Sequence, residues 1–235
     1  MRAALGYFST LPVAGRELGT RPLPQTIVYL PLVGIALGGL AGGAAYGTAL
    51  VAPAPLAVAV AFGLSIVLTG ALHVDGFLDA CDALFAPVSP QRRLEILKDP
   101  HHGTFAVAYF AVVCVVWVAA LAALPPARLV PAVAFAAGAA RWNAVINLLI
   151  FPYGSSGRRP PALVLGLEAL AILGLSALVA PWVWLAVPVG AALAAAGAAW
   201  AARRLGGVVT GDVYGALIVA EEVVILALCA VATVR

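Results

Sequence analysis

Three long stretches of this chain carry no Asp, Glu, Lys or Arg: residues 22–74, 103–127 and 169–202. Each is longer than the roughly 20 apolar residues that cross about 30 Å of hydrocarbon as a helix. Only helices and closed barrels satisfy their own backbone groups in lipid. The stretches do not alternate apolar and polar positions, which rules against barrel strands. Breaks in the pattern carry turn chemistry, at Pro53-Ala54-Pro55, Leu124-Pro125-Pro126, Pro152-Tyr153-Gly154 and Ala180-Pro181. Together these predict spans at 27–50, 56–72, 105–124, 129–151, 162–180, 182–200 and 213–233. The expected fold is all-α: a polytopic integral membrane protein of about seven transmembrane helices, with one catalytic domain over 1–235. A helical loop bearing acidic motifs is expected on its cytoplasmic face.

Composition agrees. Hydrophobic residues make up 64% of the 235 and charged residues 10%, far from the values of soluble domains. Small residues, among them Gly38-Gly39 and Gly42-Gly43, fit close helix packing. Three dispersed cysteines suggest neither a disulfide framework nor a zinc site. The opening MRAALGYFST lacks a cleavable-leader pattern, so the first span is expected to direct insertion.

The net charge of +3 acquires meaning from its distribution. With seven spans, the N-terminus and the loops at 73–104, 152–161 and 201–212 share a side. That side holds ten of the thirteen basic residues, while Arg128 and Arg235 lie opposite and Arg141 lies within a span. Ten against two predicts that this face is cytoplasmic. Positive loops, and not nucleic-acid binding, then account for the basic balance.

The scarce acids gather on that face. In HVDGFLDACDALF (73–85), a helix would project Asp75, Asp79 and Asp82 from one side. Stacked carboxylates repel, and a divalent cation reverses the sign. Oxygen-only ligands favour Mg2+ or Mn2+ over zinc. The alternative is a solvated acidic face at the membrane edge. His73 is read as an interfacial residue, with the cluster as its other option. In RRLEILKDPHHGTF (92–105), Glu95 and Asp99 would share a helical face that Pro100 ends, beside Lys98, the chain's one lysine. Such a segment suits phosphate handling, or is a surface helix with ion pairs. His101 and His102 read as interfacial. Within spans lie Arg141, Asn143, Asn147, Glu168, Glu221 and Glu222, where ionisable groups suggest function by default. One of those acids would neutralise Arg141. Asp212, flanked by Gly211 and Gly215, starts the last span either as a cap or as a site residue.

Taken in order, HVDGFLDACDALF, LEILKDPHHGTF (94–105), ARW (140–142) and TGDVYGA (210–216) resemble the cobalamin synthase family across nearly the whole chain. YFSTLPV near the N-terminus is similar to the family's opening segment. Two places depart from it: Thr10 stands where Arg is common, and YGSSGRRPP (153–161) lacks the family's Arg- and Gly-patterned form. The resemblance implies a Mg2+-dependent enzyme of the cytoplasmic (inner) membrane with its site facing the cytoplasm. It would join adenosylcobinamide-GDP to α-ribazole or its 5′-phosphate and release GMP. Asp75, Asp79 and Asp82 would hold Mg2+. Glu95 or Asp99 would complete a second site or act as base. Lys98 would hold the diphosphate, Asp212 would close the site, and Arg141 would anchor a phosphate or pair with Glu222. The lipid bilayer and other late cobalamin-pathway enzymes are expected partners. Two rival readings are a CDP-alcohol phosphotransferase, whose D-x-x-D-G-x-x-A-R signature the chain does not match, and an ion-coupled transporter. The transporter would keep its charges at mid-membrane.

Overall fold

The computed structural model describes residues 1–12, 24–150 and 161–233. The expected loop 153–161, save Pro161, and the later part of the N-terminal basic segment lie outside them. In chain order the helices are α1 (Arg2–Phe8), α2 (Pro24–Ile27), α3 (Leu30–Ala49), α4 (Ala54–Leu68), α5 (Leu72–Phe85), α6 (Pro90–Ile96), α7 (Thr104–Ala122), α8 (Pro126–Ile150), α9 (Ala162–Val179), α10 (Ala186–Arg204) and α11 (Gly211–Thr233). A 3-10 turn at Val183–Leu185 leads into α10. No strand occurs among the described residues. Six helical segments are long and apolar enough to cross a membrane: α3, α7, α8 to Leu148, α9, α10 with its 3-10 turn, and α11. This is a multi-pass membrane protein.

The second expected span departs from its prediction. The helix stops at Leu68, and its 15 residues reach only about 22 Å. Gly70 (φ +61°) and Ala71 (φ +57°) then turn the chain, and α5 leaves at 85° to α4. A left-handed conformation is unfavourable for alanine by roughly 1–2 kcal/mol, so neighbouring contacts must hold it. Thr10 supplies one: its N–H donates to Leu68 O at 2.9 Å and its hydroxyl to Val67 O at 3.1 Å. These bonds tie the N-terminal segment to the end of α4. α5 therefore lies across the direction of α4 at the end of the bundle, and the bent pair counted together brings the number of candidate spans to seven.

The bundle is built around α8. Gly34, Gly38 and Gly42 of α3 lie one turn apart, and a Cβ at each would stand 2.5–2.7 Å from a carbonyl oxygen of Ala137, Val133 or Leu129. Glycine spacing on α3 thus lets two backbones touch, the packing that small residues permit in lipid. Gly39 and Gly43, on the other face, meet nothing within 4 Å. At the periphery, Val107, Val112 and Val115 of α7 and Leu163, Leu167 and Leu170 of α9 face outward, as side chains solvated by lipid tails do.

Between α8 and α11 the interior is polar. Arg141 Nη1 donates to Glu222 Oε2 at 3.0 Å and to Ala137 O at 2.9 Å. Asn143 Nδ2 donates to Glu221 Oε2 at 2.6 Å and to Val187 O at 3.2 Å. Both glutamates are buried. The pairing of Arg141 with an acid, expected from the sequence, is with Glu222.

Candidate active site

α5 forms as the sequence predicts, and its position follows from two glycines. A Cβ on Gly76 would lie 3.0 Å from both Cα and O of Asp212, and one on Gly215 would lie 3.3 Å from His73 O. Backbone contact between α5 and the start of α11 brings Asp75 and Asp79 beside Asp212. Burial first, and then the charges of Asp75 and Asp212, raise the Asp79 carboxyl to about 6 against the opposing influence of His102. His102 Nδ1 lies 3.4 Å from Asp79 Oδ1. Carboxylates from two helices and one imidazole therefore share a site at the end of the bundle.

Asp82 turns to a different task. It is buried, and its carboxylate accepts N–H groups from Gly103 and, at 3.0 Å, from Ala106. Gly103 is the N-cap of α7 and Thr104 its first residue. A negative group at a helix N-terminus satisfies open donors and meets the favourable end of the dipole. A Cβ on Gly103 would stand 2.9 Å from Asp82 Oδ1, so a glycine there permits the approach. By holding this N-terminus, Asp82 places the preceding His102 against Asp79.

The segment after α5 also differs from expectation. Ser89 caps α6 by accepting from Arg92 N at 3.3 Å, and Pro90 opens it. The helix ends at Ile96, so Asp99 lies beyond it and does not share a helical face with Glu95. Glu95 pairs with Arg92 at 2.6 Å in solvent. Asp99 accepts from His101 N at 3.0 Å and lies 2.8 Å from its Nδ1, and His101 holds the Asp99 carboxyl below its usual range. Lys98 is exposed.

Below the carboxylates, the chain surrounds a small cavity of about 40 Å3 lined in part by Ser65, Thr69, His73, Arg141 and Glu222. His73 is buried there with Nδ1 unpartnered. Burial, and then the Arg141 charge, push its pKa well below the usual value. It is thus neither interfacial nor part of the acidic cluster.

The oxygen donors Asp75, Asp79 and Asp212 suit a hard cation, and their mutual repulsion is the energy such an ion would relieve. Among the described residues, no three His, Cys, Asp or Glu side chains close around an ion position by themselves.

A multi-pass helical membrane protein with an acidic site at the end of its bundle is the class that fold and site define. A family model described as Cobalamin-5-phosphate synthase matches residues 1–230, and the chain belongs to that family. It is 39% identical over 230 residues to the adenosylcobinamide-GDP ribazoletransferase of Deinococcus radiodurans, covering 96% of this chain and 83% of the relative. Proteins of the same name in Desulforamulus reducens and Desulfitobacterium hafniense are each 32% identical, over 92% and 95% of this chain and 90% and 93% of theirs. No solved structure matches the chain. The family agrees with the resemblance carried by the four motifs.

Proposed function

We propose that this chain transfers the adenosylcobinamide phosphate group from adenosylcobinamide-GDP to α-ribazole or its 5′-phosphate, releasing GMP. The observation that carries the reading is the convergence of Asp75, Asp79 and Asp212 through the Gly76–Gly215 contact, in a chain of this family. In the reaction a ribazole hydroxyl oxygen bonds to the corrinoid-side phosphorus of the diphosphate. The bond from that phosphorus to the GMP oxygen breaks, and the hydroxyl proton leaves to a base.

The residues have separate parts. Asp75 and Asp79 of α5, with Asp212 of α11, are the proposed Mg2+ ligands. Mg2+ supplies charge neutralisation on the diphosphate oxygens when bound. Asp82 belongs to the expected ligand set, but its bonds to Gly103 and Ala106 favour a positioning part. His102, oriented by Asp79, is the proposed proton acceptor. That assignment favours it over Glu95 and Asp99, which are engaged with Arg92 and His101. Lys98, exposed beyond α6, is the proposed diphosphate contact. Arg141 and Glu222 serve each other.

We place the protein in the inner membrane as one catalytic unit with this site on the cytoplasmic side, on the ten-to-two distribution of basic residues. The proposal extends to contact with the enzymes that supply the two substrates, which co-purification from membranes tests. The deciding experiment incubates purified protein with adenosylcobinamide-GDP, α-ribazole phosphate and Mg2+ and follows GMP. Wild type should release it, and Asp79→Asn should remain folded and release none. An active Asp79→Asn variant would remove the metal assignment. A cysteine introduced at residue 90 should label only from the cytoplasm; periplasmic labelling reverses the orientation.

A further inference from the structure

The face of α5 turned away from the carboxylates lines an apolar groove of about 210 Å3. Its walls include Phe77, Leu84 and Phe85 of α5, Tyr109 of α7, Trp200 of α10 and Leu217 of α11. The Phe85 ring stacks on Tyr109 with centroids 4.3 Å apart, and the Trp200 ring lies 5.3 Å from that of Phe85. Tyr109 is near the start of α7, Trp200 near the end of α10 and Leu217 near the start of α11. The groove therefore sits at the end of the spans, where hydrocarbon gives way to headgroups. Aromatic side chains with one apolar and one polar edge concentrate at that depth.

Charge lies at its rim. The Arg204 guanidinium carbon is 5.4 Å from the Trp200 ring centroid. Arg203 and Arg204 end α10. Arg93 Nη1 donates to Ala83 O at 2.6 Å and Leu84 O at 2.8 Å, closing the α5 end of the groove. Burial and then the Arg204 charge hold Arg93 below its usual range, so the two cations act on each other. Nε of Arg204 is buried without a hydrogen-bond partner. Among the described residues no carboxylate pairs with Arg93, Arg203 or Arg204. Like charges held together beside an apolar wall are unfavourable until an anion joins them.

We propose that this groove binds an anionic phospholipid of the surrounding bilayer, with an acyl chain along the aromatic wall and the phosphate on Arg203 and Arg204. A free phosphate would meet the arginines and leave the wall empty. A zwitterionic lipid would fill the wall and bring its own cation to the arginines. Only an anionic lipid is complementary to both parts, and a membrane-spanning chain is bathed in it.

The test reconstitutes the full chain in vesicles of phosphatidylcholine and phosphatidylglycerol. Bromine is placed on the acyl chains of one lipid or the other at equal mole fraction. Trp200 emission is read as the difference between wild type and Trp200→Phe. Brominated phosphatidylglycerol should quench it in preference, by about fivefold for each arginine engaged at an anionic surface. Arg204→Gln should lower the preference by that factor, as should Arg203→Gln. Both side chains end a helix in the loop, and unchanged gel-filtration elution checks that the variants fold. Equal quenching by the two lipids in wild type overturns the proposal. So does a preference that survives in the Arg203→Gln/Arg204→Gln variant. Loss of preference on adding inorganic phosphate at constant ionic strength also overturns it, in favour of a soluble anion. Loss on adding adenosylcobinamide-GDP assigns the groove to the substrate and overturns it as well.

Discussion

Gly76→Ala separates what holds the helices together from what aligns the site. Two opposing effects act on stability. Alanine is the better helix former by about 1 kcal/mol. Against that, its Cβ would stand 3.0 Å from Cα and O of Asp212, close enough that the neighbour must give by a few tenths of an ångström. Overpacking of this kind costs typically 1–3 kcal/mol, so the net loss is expected at about 0–2 kcal/mol. Activity should suffer as well. The shift separates Asp75 and Asp79 from Asp212, and a 1 Å misplacement can cost roughly 10²-fold in rate. A few tenths of that distance corresponds to about a fivefold loss on a logarithmic scale. Gly39→Ala is the control, since its Cβ meets nothing within 4 Å and should add about 1 kcal/mol of stability with unchanged turnover. GMP release is measured at saturating substrates beside thermal unfolding in detergent. If Gly76→Ala behaves as Gly39→Ala does, the glycine contact does not set the carboxylates and the argument fails.

His102→Gln should lower kcat by about 10²-fold or more with KM little changed; an unchanged kcat rules out His102 as proton acceptor. Asp79, raised to about 6 by burial first and its neighbours next, should make the metal-free protein less stable as pH rises. Folded and unfolded chains both hold the proton below the ordinary carboxylate range. Between there and about 6 the folded chain binds more protons, so stability falls and stays lowered above that window. Melting temperatures in chelator should show this fall and Asp79→Asn should flatten it; a rise across the window refutes the assignment. Glu222→Gln leaves Arg141 buried without its counter-charge, and breaking such pairs costs about 3–5 kcal/mol. Arg141→Met combined with Glu222→Leu should recover much of that loss in thermal unfolding, and failure to recover would mean that the pair does more than balance charge.

Much of this architecture is legible in the sequence because hydrocarbon imposes a length and a charge rule. The expected spans coincide with α3 and α7–α11 to within a few residues, and the stripe of Asp75 and Asp79 follows from helical period alone. The break after Leu68 was not legible. Apolar sequence runs on through Thr69–Leu72, and what ends the helix is Gly70 and Ala71 in left-handed conformation, with Thr10 bonding from far away in the chain. Asp82 could not be told from Asp79 by spacing, because its partners at Gly103 and Ala106 are set by tertiary placement of α7. Pro100 was the visible stop for the helix carrying Glu95, yet α6 ends at Ile96, before the proline acts. His102 gave only proximity to His101 as a signal; its meeting with Asp79 depends on the same placement of α7.

The interior ion pair and the edge carboxylates are connected through α11. Asp212, Gly215 and Glu222 lie broadly along one stripe of that helix. Ten residues separate the two acids, about 15 Å along the axis. Rotation of α11 would swing Asp212 away from α5 and also pull Glu222 from Arg141, and it would strip Glu221 from Asn143. α8, which supplies both partners, is itself fixed against α3 by backbone contact at Gly34, Gly38 and Gly42. A buried ion pair is a weak source of net stability but a strong penalty on wrong arrangements. Its place here is therefore best understood as registration. It gives α11 one angular setting, and that setting presents Asp212 and Gly215 to α5, where Gly76 allows the approach that assembles the site.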